Sequence, residues 1–243
     1  MITSYGVSLT GMVRKTNEDC IYQDEKPFYI LADGMGGYKG GQIASTVAVS
    51  AAADYLRSLS SEEMNDAALQ EAVERANEAV LEKKKGHEDL ALMGTTMVIA
   101  VPLKSHLLWC HVGDSRLYLY RKGALRQITK DHSFVMNLLA EGKITVEEMR
   151  DHPRKNEITR AVGVFPEVLA DTGVFDLEEG DMILLCSDGL SGVIDDDSIE
   201  DVLSRGAGHL AEAADELVKR VYEAGAKDNV SAVVAEYHSE DRG

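Results

Sequence analysis

Residues 95–128 read TTMVIAVPLKSHLLWCHVGDSRLYLYRKGALRQI. Four short runs, TTMVIAV, LLWCHV, RLYLYR and ALRQI, are separated by tight connections that include Lys122-Gly123, the pattern of consecutive β-strands. This predicts a meander. Outward from it, residues 2–9 alternate as a strand, and Phe28 to Ala32 form a short apolar strand ending at Asp33-Gly34. Further strands are expected near Leu169–Phe175, Asp181–Ser187 and Ser231–Tyr237. Helical spacing runs from about Gly41 to Leu59 and from about Ser61 to Lys84; Glu62 and Glu63 at the start of the second run and Lys83 to Lys85 at its end suit the helix dipole. Shorter helices are expected near Phe134–Glu141, Ser198–Leu203 and His209–Ala224, with a polar stretch from Gly142 to Lys155. Strands gathered together with helices in separate pairs specify an α+β layered fold rather than an alternating parallel sheet.

The chain has 243 residues, 44% of them hydrophobic, which fits one domain over 1–243 better than two joined by a linker. Pro27, Pro102, Pro153 and Pro166 are scattered and form no tether. The longest apolar runs fall far short of the roughly 20 residues a spanning helix needs. The opening MITSYGVSLTG has neither a charged head nor an apolar run, so no signal peptide is expected, and the expected location is the cytoplasm. Cys20, Cys110 and Cys186 form no Cys-x-x-Cys pair and read as buried thiols of a reducing compartment. A formal charge of −17 argues against nucleic acid or an anionic membrane as partner. It would equally repel a phosphorylated substrate unless bound cations reversed the local potential.

Three times an apolar strand delivers an aspartate beside a glycine: FYILAD33-G34, LLWCHVG113-D114 and MILLCSD188-G189. Asp228-Asn229 precedes the last strand, and Asn17-Glu18-Asp19 leads into another. Any one Asp-Gly is an ordinary turn. Several carboxylates at strand ends can converge on one rim, where their repulsion is costly without cations between them. Hard cations such as Mg²⁺ and Mn²⁺ take oxygen ligands and need only one or two carboxylates each. No clustered histidine pattern favours zinc; the seven histidines are scattered.

Two other phosphate chemistries fit poorly. The turn DGMGGYKGG after Asp33 has Lys39 where a Rossmann fingerprint needs its third glycine, and Gln42 where a P-loop needs lysine. Its glycines suit close approach of the Gly34 carbonyl and the next helix to cations instead. Cys110 to Arg116 satisfies Cys-x5-Arg, but that chemistry needs a helix starting at the arginine. Arg116 is followed by Leu-Tyr-Leu-Tyr, which alternates as a strand.

With these residues in hand, the chain resembles the metal-dependent protein serine/threonine phosphatase family, type 2C, and especially its compact bacterial members. The match is carried in order by R14-K-T-N-E-D19, D33-G-M-G-G37, G94-T-T96, G113-D-S-R116, S187-D-G189 and D228-N229. The resemblance implies a four-layer α-β-β-α sandwich, two antiparallel sheets flanked by helix pairs, with metals in a cleft at one end. It implies that Asp33 bridges two ions, Mn²⁺ or Mg²⁺, and that the Gly34 carbonyl helps bind the second. Asp188 and Asp228 would complete the first site, and Asp19 would act on the second through water. Asp114 with Asp188 would hold a third, weaker ion. Arg14 would grip the substrate phosphate with its planar fork. A water between the cations would then attack phosphorus in line, with no phosphoenzyme.

Animal members carry histidine, read as the general acid, two residues after the bridging aspartate; here Met35 stands there and cannot donate a proton. The stretch from about Gly142 to Gly163 occupies the place of the family's flap subdomain, and its charges are equally those of any solvated loop. Phosphorylated proteins, targets of a bacterial Ser/Thr kinase, are the implied partners, and a monomer is the expected state. A non-enzymatic metal-binding module on the same fold is the competing reading, and the complete acidic set weighs against it.

Overall fold

The structure is a computed structural model that describes residues 1–23, 28–37 and 39–239; Pro27 and the Arg150 side chain lie outside it. The strands are β1 Ile2–Leu9, β2 Asp19–Gln23, β3 Tyr29–Met35, β4 Gly94–Thr95, β5 Met97–Leu103, β6 His106–Val112, β7 Arg116–Arg121, β8 Ala124–Gln127, β9 Asp171–Asp176, β10 Met182–Cys186 and β11 Val230–Tyr237. The helices are α1 Gly40–Ser58, α2 Asp66–Lys84, α3 Phe134–Ala140, α4 Val146–Arg150, α5 Asp188–Ser191, α6 Asp196–Ser204 and α7 Leu210–Glu223.

Two antiparallel sheets form the centre. One has the order β1-β11-β10-β7-β8; the other runs β2-β3-β5-β6-β9, with β4 added beside β3. Side chains on a strand alternate between faces. Tyr29 and Leu31 of β3 therefore enter the layer between the sheets with Val98, Leu117, Ile183, Leu185 and Val233. Ile30 and Ala32 face α1 and α2, packing with Ala48, Ala52, Leu69 and Val73. On β10 the same alternation sends Met182, Leu184 and Cys186 toward Val202, Leu217 and Val221 of α6 and α7. Both faces of each sheet are covered, so the central strands read as unbroken apolar runs. Each fully buried large side chain contributes about 1.5–3 kcal/mol, and the result is the expected α-β-β-α order.

The structure corrects four expectations. The run from residue 95 to 128 is not one meander: β5 and β6 pair in one sheet, β7 and β8 in the other. The chain changes sheet at Gly113-Asp114-Ser115, where Gly113 has φ +109° and a Cβ would stand 2.5 Å from Thr96 Cγ2. Local alternation cannot show such a crossing, because each hairpin looks the same whichever sheet holds it. Secondly, β3 does not end at Ala32 but continues through Asp33 and Gly34 to Met35, since Gly34 and Met35 pair with β4.

Thirdly, α2 begins at Asp66 rather than Ser61. Asn65 caps it, its side chain accepting from the Ala68 amide, whereas Ser60 to Glu63 close a separate turn in which the Glu63 carboxylate accepts from the Ser60 amide. Asparagine is among the strongest residues for starting a helix in this way. Finally, the polar stretch holds α4, started by a capping box between Thr145 and Glu148. No helix among the described residues is long and apolar enough to cross a membrane.

Candidate active site

Each sheet brings carboxylates to the same end of the sandwich. Asp19 opens β2 and sits directly opposite Asp33 in the β2–β3 register. Asp188 is the first residue of α5, one residue beyond β10, and Asp228 lies in the turn before β11. Asp114 lies on the crossing between the sheets. Arg14, Asp33, Gly34, Asp114, Asp188 and Asp228 all line one cleft of about 590 Å³. Asp19 is buried beneath it, only 8% exposed. The two chain ends of the sequence pattern, Arg14 and Asp228, meet: the guanidinium Nη2 donates to Asp228 Oδ2 at 2.7 Å.

The backbone around these groups is tightly held. The Asp33 amide donates to Thr96 Oγ1 at 2.9 Å, and its carbonyl accepts from the Thr96 amide at 2.9 Å and Thr95 Oγ1 at 2.8 Å. Thr96 Oγ1 also meets Ser115 Oγ at 2.7 Å, linking the Asp33 strand to the crossing. Gly34 donates its amide to the Glu18 carbonyl at 3.1 Å. A Cβ at Gly34 would stand 2.1 Å from the Gly41 carbonyl oxygen, so only glycine lets α1 start against the strand tip. A Cβ at Gly189 would stand 1.8 Å from the Asn229 carbonyl oxygen and 3.5 Å from Asp228 Cβ, which brings the Asp188 and Asp228 turns face to face.

Electrostatically the site is strained toward protonation. Burial, then Asp19, Asp188 and Asp114 as neighbours, raise the Asp33 carboxyl well above the ordinary carboxylate range. Burial pushes Asp19 up to about 6 even though Ser231 Oγ donates to its Oδ2 at 2.6 Å. Asp114 is pushed up to about 7 by burial and then by Asp188. Asp188 is raised by burial first, with Asp33 hydrogen-bonded to it acting in the other direction. Like charges that share a dry site behave this way unless cations intervene.

The residues fit hard divalent cations on one direct observation. Asp19 Oδ1 is buried with no hydrogen-bond partner among the described residues, an orphaned acceptor of the kind that awaits a ligand. Among the described residues no three acidic, histidine or cysteine side chains close round a single point. The cysteine alternative fails. Cys110 is fully buried and burial pushes its thiol up to about 12, and Arg116 opens strand β7 with its guanidinium forked onto Asp131 at 2.7–3.1 Å.

The structure gives several residues roles that sequence reasoning did not assign. Asn229 accepts from the Glu18 amide at 2.8 Å and donates to the carbonyls of Thr10 and Thr16, binding the Arg14 loop to the β11 turn. Ser231 holds Asp19, Thr96 holds Asp33, and Asn156 and Ile158 form a wall of the cleft. The available signal was polar residues placed inside apolar runs, as in DNVSAVVA and MGTTMVIA.

The comparisons with known proteins agree with this geometry. The family described as Protein phosphatase 2C matches residues 15–235. The chain is 36% identical over 241 residues to the serine/threonine phosphatase stp of Listeria welshimeri, covering 96% of this chain and 95% of that one. A crystal structure of the Mycobacterium tuberculosis serine/threonine phosphatase PstP/Ppp superposes with a TM-score of 0.91 at 37% identity, covering 98% of this chain and 99% of that one. A second PstP structure, the catalytic domain in complex with 2 manganese ions, gives a TM-score of 0.85 at 37% identity, covering 97% of both. Matched across nearly its whole length in sequence and in fold, the chain belongs to the protein phosphatase 2C family and is a serine/threonine protein phosphatase of the bacterial kind.

Proposed function

We propose that this phosphatase works as a two-cation enzyme whose ions, Mn²⁺ or Mg²⁺, are held by Asp33 and the Gly34 carbonyl together with Asp188, Asp228 and Asp19. The observation that supports it above the rest is convergence: both sheets deliver carboxylates to one cleft, and beneath it the buried Asp19 carries an unpartnered oxygen. A PstP catalytic domain binds two manganese ions on the same fold. Asp114, beside Asp188, is the place for a third and weaker ion. When bound, the cations would supply positive charge and lower the pKa of a bridging water.

The chain's own residues do the rest. Asp33, fixed by Thr95 and Thr96 on both sides of its peptide, holds its carboxylate at the cleft floor without a mobile backbone. Arg14 is half exposed at the mouth, and its fork, now on Asp228, is placed to grip phosphate oxygens in pairs. Met35 lines the cleft but has no proton to give, so protonation of the leaving hydroxyl falls to water rather than to this side chain. The segment at about 142–163 acts as a flap subdomain, with Asn156 and Ile158 facing substrate. The substrates are proteins phosphorylated by an opposing serine/threonine kinase, and the enzyme acts as a cytoplasmic monomer.

The test is hydrolysis of p-nitrophenyl phosphate with Mn²⁺, with chelator, and after thiol alkylation. Activity that vanishes with chelator and survives alkylation is the expected result. Activity that survives chelation would overturn the two-cation reading.

A further inference from the structure

Behind the cleft, His132 is a junction that the reaction as described does not use. Its amide donates to the Gly113 carbonyl at 2.7 Å, and its ring Nδ1 accepts from the Gly113 amide at 3.2 Å, so one residue holds both the N–H and the C=O of the glycine that precedes Asp114. Its own carbonyl accepts from the Thr159 amide at 2.7 Å, and the neighbouring Ser133 bridges to Ile158 while Phe134 donates to the Glu157 carbonyl. Those are the residues that carry Asn156 and Ile158 into the cleft.

The ring's tautomer follows from its contacts. Because Nδ1 accepts, the proton sits on Nε2, which donates to Asp171 Oδ2 at 3.2 Å. Arg160 Nη1, also 3.2 Å from Nε2, then donates to Asp171 Oδ1 at 2.8 Å instead. Asp171, on the far side of the ring, therefore selects Nδ1 as the acceptor, while Arg160 satisfies the same carboxylate. The side chain is only 7% exposed, and the His111 ring packs against it tilted at 40° with the ring centroids 4.6 Å apart.

We propose that His132 is a positioning residue that locks the Asp114 turn to the 156–160 wall of the cleft, so that cation affinity at Asp114 and the seating of the substrate-facing wall change together. This rests on the reading of Asp114 as a ligand. Groups that orient metal ligands from behind typically matter by about 10–100-fold in affinity, and here the same group also carries the wall.

The experiment compares His132→Gln, His132→Asn and Asp114→Asn with the wild-type chain, by calorimetric titration of the chelator-stripped protein with MnCl₂ and by amide hydrogen exchange over residues 156–160. Asparagine can place a carbonyl oxygen where Nδ1 accepts from Gly113; glutamine places its amide near Nε2 and leaves Gly113 unserved. The expected result is that His132→Gln weakens the weakest Mn²⁺ event by about 10–100-fold and speeds exchange at Thr159, while His132→Asn restores both toward wild type. Equal Mn²⁺ affinity in His132→Gln and wild type, or exchange at Thr159 that moves without the affinity, overturns the lock. Where His132→Gln does not fold, Asp171→Asn, which keeps the ring, must shift both readouts in the same direction, and no shift overturns it equally. Asp114→Asn that binds Mn²⁺ as the wild type does would sink the ligand reading itself, and the proposed coupling with it; a normal loss there alongside an unresponsive His132 sinks the coupling alone.

Discussion

Asp19 and Asp33 stand directly opposite each other as register partners on adjacent antiparallel strands. Like charges facing across a strand pair destabilise it, and here Asp19 is buried while Asp33 is half-buried at the cleft. The site thus costs the metal-free fold stability at the place where it would bind cations.

Asp19→Asn should therefore stabilise the protein in chelator and reduce the stabilisation that Mn²⁺ adds. A carboxyl whose pKa is higher folded than unfolded binds more protons in the folded chain, so its contribution to stability falls as pH rises from the ordinary carboxylate range to about 6. The advantage of the Asp19→Asn variant over wild type should accordingly grow from about pH 4 to about pH 6 and then level off, reaching on the order of 1–3 kcal/mol. Urea melts in chelator across that range check it; a difference independent of pH would contradict it.

Asp33→Ala and Asp188→Ala should each lower Mn²⁺-dependent hydrolysis by at least about a hundredfold, the scale on which removal of one charge-stabilising element is felt. Turnover measured over a Mn²⁺ series distinguishes lost ligands from weak binding, and near-normal rates in either variant would refute the assignment.

Arg14→Lys should be far from neutral. Lysine keeps the charge but not the planar fork, and the loss should fall on kcat/KM by roughly 10–100-fold if a paired contact worth about 1.5–3 kcal/mol is removed. Arg14→Ala also releases Asp228, so its effect on Mn²⁺ affinity should run opposite to its effect on rate. Steady-state kinetics and Mn²⁺ titration of the two variants separate these effects.

Gly34→Ala should destabilise the fold by more than about 2 kcal/mol, because a methyl cannot occupy space 2.1 Å from a backbone oxygen without moving α1 or β3. Denaturant unfolding measures it, and the same change at Gly37, where a Cβ would meet nothing within 4 Å but φ is +70°, should cost less.

His111 weakens the fold in acid. It is fully buried, neither ring nitrogen has a hydrogen-bond partner among the described residues, and burial lowers its pKa to about 3. A base that protonates only when unfolded makes stability fall as pH drops from about 6.5 toward 3, by about 2 kcal/mol at pH 5. His111→Leu should remove that acid loss while changing stability little at pH 8, as melts at the two pH values would show.

Most of the acidic cluster could be read from the sequence because it depends on a local event, an apolar strand running out at an aspartate. Asp33, Asp114 and Asp188 were found that way, Asp228 as an acidic turn before the last strand, and the cleft contains all four. What was hidden depends on pairing between distant segments. The register that sets Asp19 against Asp33, the sheet change at Gly113, and the Asn229 and Ser231 contacts that tie β11 to the Arg14 loop and to Asp19 leave no periodic trace. Helix α4 was missed for the opposite reason: its signal, a capping box, is local but sits in a stretch with too few apolar residues to show helical spacing.

The passage of the chain from one sheet to the other at Gly113 to Ser115 has a mechanical consequence. With Asp19 and Asp33 on one layer, Asp188 and Asp228 on the other and Asp114 on the bridge, neither layer carries the whole acidic cluster. Divalent ions would act as rivets across the seam, and a core change far from any carboxylate, at Leu31 or Val233 for instance, would dull the enzyme simply by letting the layers slip.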